Sequence, residues 1–115
     1  MRRNDAAVLI KRRTKASLAL ITRPEDVAYL TGFSGEDSFL LLGRSWAALL
    51  TDGRYGEQAR AECPDVEIHE RTGRMSAAVS ERVRKRRVRR LAVQADHMTL
   101  HFAETLGEVL EEGEL

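Results

Sequence analysis

Ser38-Phe-Leu-Leu-Leu-Gly-Arg-Ser-Trp-Ala-Ala-Leu-Leu50 contains two apolar runs, 38–42 and 46–50, separated by Gly43-Arg44-Ser45. Two extended apolar runs joined by three residues that include glycine read as a β-hairpin. Upstream, Leu18-Ala-Leu-Ile21 is a short continuous apolar run, the pattern of a strand buried on both faces. Pro24, Glu25 and Asp26 then start a helix: proline suits the first helical position, and acids suit its partly positive amide end. Val27 and Leu30 point inward from it, and Gly32 ends it. Before all of these, Ala6, Leu9 and Ile10 share one face of a helix from Asp5, its cap, to about Arg13.

Downstream of the hairpin, Asp52 is placed to cap a helix over 53–62, which Cys63-Pro64 stops. Val66-Glu-Ile-His69 alternates like a half-buried edge strand. Met75, Val79 and Val83 keep the spacing of a helix that runs into a basic cluster, and Leu91-Ala-Val93 is another short strand. Thr99 caps a last helix with Phe102, Leu106, Val109 and Leu110 on one face. Helices and strands alternate around one hairpin. The expected fold class is therefore α/β, a mixed sheet with the hairpin central and helices on both faces.

The chain has 115 residues, enough for one domain over 1–115 and a core that needs no staples. Its 19 basic and 18 acidic side chains nearly cancel, which argues against a chain built mainly to coat nucleic acid or anionic lipid. Cys63, the one cysteine, cannot close an internal disulfide, so a reducing, cytoplasmic setting is expected. No apolar run approaches the roughly 20 residues that span a bilayer, so no membrane partner is expected.

Two stretches stand out chemically, Tyr29-Leu-Thr-Gly-Phe-Ser-Gly35 and Leu50-Thr-Asp-Gly-Arg-Tyr55. In each, the chain leaves a regular element through glycine. The first is expected to display Phe33 and Ser34 on a sharp loop. The second puts Asp52 between strand and helix, able to accept amide hydrogens and to pair with Arg54. The plainer reading makes Asp52 a cap, Arg54 a framework ion pair and Tyr55 a core residue.

In order and spacing these motifs resemble the amino-terminal, creatinase-like domain of the Xaa-Pro peptidases, aminopeptidase P and prolidase. The likeness extends from Leu18-Ala-Leu-Ile-Thr22 through Pro24-Glu25 and Gln58-Ala59 to Gln94-Ala-Asp-His-Met-Thr99, so it covers nearly the whole chain. The resemblance implies ribonuclease H-like layering and a non-catalytic domain that dimerises and closes over the active site. It implies a carboxyl-terminal pita-bread metallopeptidase domain, absent from this chain, as partner. That domain would hold a divalent metal pair, often manganese, on two aspartates, one histidine and two glutamates, and would hydrolyse bonds preceding proline. It also implies a further strand after Gly113-Glu-Leu115. Phe33, Asp52, Arg54 and Tyr55 are the positions it suggests for the substrate cleft. Glu36-Asp37 departs from the small or amide residue common after the Phe-Ser-Gly turn.

Other signals read more plainly. His97 and His101 have a zinc-compatible spacing, but Met98-Thr-Leu100 lacks the metalloprotease glutamate, and the Thr99 cap puts His97 outside the helix. His69 has no evident partner in sequence. Arg82-Val-Arg-Lys-Arg-Arg-Val-Arg-Arg90 has no interleaved aromatics, and cations suit the end of a helix, so a solvated terminus explains it better than nucleic acid does. The alternative function is a stand-alone module using 82–90 to bind an acidic protein or nucleic acid. An independent hydrolase is disfavoured, because no nucleophile, base and orienting group fall together.

Overall fold

The hairpin forms and sits centrally. Strands β2 (Phe39–Gly43) and β3 (Trp46–Asp52) pair antiparallel, with Phe39 opposite Leu50 and Gly43 opposite Trp46. The structure, a computed structural model, describes residues 2–112, with side chains for 3–107. Five strands run in the order β4-β3-β2-β1-β5, where β1 is Leu18–Ile21, β4 Glu67–Arg71 and β5 Leu91–Val93. Only β2 opposes the others, since β3–β4 and β1–β5 are parallel pairs. The mixed α/β sheet expected from the sequence is therefore present.

Alternation along the strands divides the core into two layers. Ala19, Ile21, Leu40, Leu42, Ala47 and Leu49 face helices α1 (Arg2–Thr14), α2 (Pro24–Thr31) and α3 (Gly56–Glu62). Leu18, Leu20, Leu41 and Leu50 face α4 (Met75–Arg86) and α5 (Leu100–Glu112), which contribute Val79, Val83 and Leu106. A strand buried on both sides must be apolar at every position, which is why β1 reads Leu-Ala-Leu-Ile without alternation. Each fully buried leucine contributes about 2 kcal/mol of transfer free energy.

Several local signals act as expected. Pro24 opens α2, and Gly32 ends it in the left-handed region at φ 86°, its N–H donating to the Ala28 carbonyl. Thr99 Oγ1 accepts the Phe102 N–H at 3.0 Å, capping α5. Val109 and Leu110, and the expected strand beyond residue 113, lie outside the described side chains and residues.

Others are corrected. Helix α1 begins at Arg2, so Asp5 lies within its first turn and does not cap it. The inward face of α1 carries Ala7, while Leu9 is 47% exposed. Helix α3 starts three residues later than expected, because Asp52 still belongs to β3 and its carboxylate organises a turn over 53–55. Strand β4 extends two residues past His69. Among the described residues, no helix is long and apolar enough to cross a membrane.

Candidate functional site

The parallel strands β1, β3, β4 and β5 all finish at one edge of the sheet, where β2 begins. In open α/β sheets this carboxyl edge is the usual place for ligands, because loops of differing length leave a crevice there. Both distinctive motifs meet on it.

Asp52, at the end of β3, accepts the Arg54 N–H at 2.9 Å and takes Arg54 Nε at 3.1 Å and Nη2 at 2.8 Å. This two-pronged pairing fixes the guanidinium plane. The same Nη2 reaches Asp37 Oδ2 at 3.1 Å, so the departure at Glu36-Asp37 supplies a second carboxylate to the clamp. Arg71, from the end of β4, stands 3.9 Å from Asp52 Oδ2. The Asp52 carboxyl is held below its usual range chiefly by the hydrogen bond from Arg54, and the Arg54 guanidinium is raised, first by Asp52 and then by Asp37. Arg54 remains 65% exposed, with its Cζ 5.1 Å from the centre of the Tyr55 ring. The clamp thus presents a fixed, wet cation flanked by two carboxylates.

Phe33 is not displayed. It is 1% exposed, buried among Ile21, Leu40 and Cys63, and its ring meets Tyr55 edge-to-face at 6.2 Å between centroids. An aromatic side chain beside a half-open core gains more from burial than from water, and bare Gly35 lets the loop fold over the ring. A Cβ at Gly35 would overlap the far end of that ring. Phe33 therefore cannot touch a ligand with its ring in this arrangement, and it supports Tyr55 and the loop from beneath.

Glu62, at the end of α3, holds the same loop from outside. Its Oε1 accepts the Ser34 N–H at 2.9 Å, and its carboxylate also receives the Ser34 hydroxyl and the Gln58 amide. These bonds, the Ser34 amide foremost, keep the Glu62 carboxyl below its usual range. The sequence reading missed Glu62; its only local signal is its position four residues after Gln58 on one helical face.

On the other half of the edge, Gln94 completes the end of β1. Its Oε1 accepts the Thr22 and Arg23 N–H groups, each at 2.8 Å, and its Nε2 donates to Asp26 at 2.7 Å. Beside it, a pocket of about 410 Å³ opens between Thr22, Phe39, His97, Met98, Thr99 and Phe102. Arg23 also pairs with Asp96. His97 and His101 are both exposed. Among the described residues no group of three His, Cys, Asp or Glu could hold a metal ion, so this donor set does not fit a metal pair.

Cys63 is fully buried, and burial raises its thiol pKa, the opposite of what a nucleophile needs. His69 does have a partner: its Nδ1 lies 2.6 Å from Arg82 Nη2, while Arg82 Nη1 holds Glu67 at 3.1 Å. The ring must be neutral at Nδ1 to accept that bond. Burial first, then Arg82, lowers the His69 pKa from 6.5, with Lys85 adding to the effect and Glu81 and Glu67 opposing it. A histidine with a depressed folded pKa contributes stability that is fully present above its unfolded value. That stability is lost as pH falls from about 6.5 toward the folded value. Stability measured by urea unfolding should decline as pH falls below about 6.5, and His69→Asn should flatten that slope.

Residues 2–115 match the family model described as the creatinase/prolidase N-terminal domain. The chain is 31% identical over 96 residues to the uncharacterised peptidase YqhT of Bacillus subtilis, covering 84% of this chain and 27% of that protein. It thus spans about a quarter of the length of that curated relative. Among solved structures, it is similar to the N-terminal domain of the cytoplasmic peptidase PepQ from Mycobacterium tuberculosis. That comparison gives a TM-score of 0.87 and 29% identity, covering 96% of this chain and 85% of that one. It shares the fold of the Xaa-Pro dipeptidase from Bacillus anthracis, with a TM-score of 0.87 and 22% identity over 95% of this chain and 31% of that one.

Proposed function

We propose that this chain, which belongs to the creatinase/prolidase N-terminal domain family, is the accessory domain of a cytoplasmic, metal-dependent Xaa-Pro peptidase. In this reading the domain, over residues 1–115, contributes no reacting group. It supports pairwise association of the enzyme and closes over a reaction chamber built by a carboxyl-terminal pita-bread domain. A divalent metal pair held by that other domain would polarise the scissile carbonyl and supply hydroxide for bonds preceding proline.

The observation that carries this reading is the Asp37–Arg54–Asp52 clamp, an exposed and rigidly held cation at the carboxyl edge of the sheet. Two carboxylates on one guanidinium fix its position, and its 65% exposure leaves it open to a ligand. Arg54 lines the cleft, Asp52 and Asp37 orient it, and the Tyr55 ring lies beside its guanidinium, with Phe33 a positioning residue beneath. The domain's share in turnover is to hold peptide and exclude water.

In the full-length enzyme, Arg54→Ala is expected to lower kcat/KM about tenfold, about 1.4 kcal/mol of transition-state stabilisation. The unfolding midpoint should move little, because exposed ion pairs contribute little to stability. Unchanged kinetics would return Arg54 to the framework. The 115-residue chain by itself, supplied with manganese, is expected to show no aminopeptidase turnover.

A further inference from the structure

At the sheet edge opposite the clamp, the fold gathers three basic segments that are far apart in sequence. The first is the end of α1 with Lys11, Arg12, Arg13 and Lys15. The second is Arg44 at the tip of the hairpin. The third is Arg84, Lys85, Arg86, Arg87, Arg89 and Arg90, around the end of α4. Two contacts join them: Arg90 Nη1 donates to the Thr14 carbonyl at 3.3 Å, and the Arg86 guanidinium lies 4.1 Å from the centre of the Trp46 ring beside Arg44. All eleven cations are exposed, of the 19 basic residues in the chain. A near-neutral protein therefore has one strongly positive edge.

Helix ends do not account for this. Each helix carboxyl terminus carries roughly half a negative charge. Eleven cations far exceed that. No carboxylate forms an ion pair with Arg12, Arg13, Arg44, Lys85, Arg87 or Arg89 among the described residues. The backbone points the same way. Lys15 and Arg87 follow α1 and α4 at φ 66° and 53°, left-handed positions where glycine would be less strained. Cations stand there despite that cost.

We infer that this edge binds the phosphate backbone of nucleic acid without reading its sequence, a function separate from the clamp. Eight of the eleven are arginines, whose planar fork matches phosphate oxygens, and a regular phosphate row can engage three segments at once. A membrane is the poorer fit, because Leu9 is the only large apolar side chain exposed on α1, the hairpin tip and α4 among the described residues. A folded acidic protein would need an apolar contact centre, which the described residues of this edge do not supply.

The test is fluorescence anisotropy of an oligothymidylate of about 16 nucleotides with the whole chain, titrated across salt. Engaging about five phosphates gives a salt slope near −3.5, about a hundredfold loss of affinity between 50 and 200 mM. Arg12→Glu/Arg13→Glu and, separately, Lys85→Glu/Arg89→Glu should each weaken binding at least tenfold and flatten the slope. Arg74→Glu/Arg60→Glu, an equal charge change away from this edge, should change it less than twofold. Binding undetectable at about 0.15 M salt overturns the inference. So does equal loss in all three variants, which would mark net charge alone, and so does tighter binding to phosphatidylglycerol vesicles than to the oligonucleotide. Circular dichroism of each variant separates lost binding from lost fold.

Discussion

Phe33→Ala is expected to destabilise the domain by about 3–5 kcal/mol, the range for removing a fully buried aromatic ring and leaving a cavity. The ring is 1% exposed and packs against both the sheet and Tyr55, so little nearby can collapse into the space. Equilibrium urea unfolding measures it, and a loss below about 1 kcal/mol would mean that the ring is not buried in solution. Gly35→Ala tests the same packing from the other side. A methyl group there overlaps the Phe33 ring, so the loop or the ring must shift. In a Phe33→Leu background the clash should largely vanish, and the two changes should couple by 1 kcal/mol or more, because residues in contact are non-additive. Additive costs would show that Gly35 is required for another reason.

Gln94→Leu is the second large effect. It leaves the Thr22 and Arg23 amides at the end of β1 without their acceptor, and an unsatisfied backbone group costs about 1–3 kcal/mol. The expected loss is about 2–4 kcal/mol, softened where water enters the half-open edge. Gln94→Glu separates the roles: it keeps the acceptor for both amides but sets a carboxylate against Asp26, now the Nε2 partner at 2.7 Å. Hydrogen exchange at Thr22 and Arg23 should accelerate strongly in Gln94→Leu and little in Gln94→Glu. Equal protection in all three proteins would remove Gln94 from the architecture of this edge.

The sequence reading and the structure agree where the cause is local. Proline at the start of α2, glycine in the left-handed position at its end and threonine ahead of α5 each act through backbone groups within four residues. The hairpin and the apolar runs of β1, β2 and β3 likewise follow from neighbours along the chain. The disagreements arise where the partner is distant. Asp52 offers the same carboxylate to a helix or to a turn, and Arg54 with Asp37 decides for the turn. His69 has a partner thirteen residues away, and Glu62 holds a loop twenty-eight residues back.

The candidate site divides the same way. Asp52, Arg54 and Tyr55 form a legible group because they lie within four residues at a junction. Phe33 reads as exposed in sequence, because a loop between glycines looks solvated until the core beneath it is known. The partners of Asp37, Glu62 and Gln94 lie 17, 28 and about 70 residues away, so their roles are not written in neighbouring sequence. The same holds at the opposite edge: the run 82–90 is visible in sequence, but its union with 11–15 and Arg44 exists only in three dimensions.

By itself, then, the sequence determined the elements, their order and the apolar identity of the central strands. Hydrophobic periodicity and capping are short-range and leave their mark on consecutive residues. Only the tertiary structure decided which side chains are wet, which carboxylate holds which arginine, and which charges share an edge. Those outcomes are set by burial and by distances across the sheet, and spacing along the chain does not encode them.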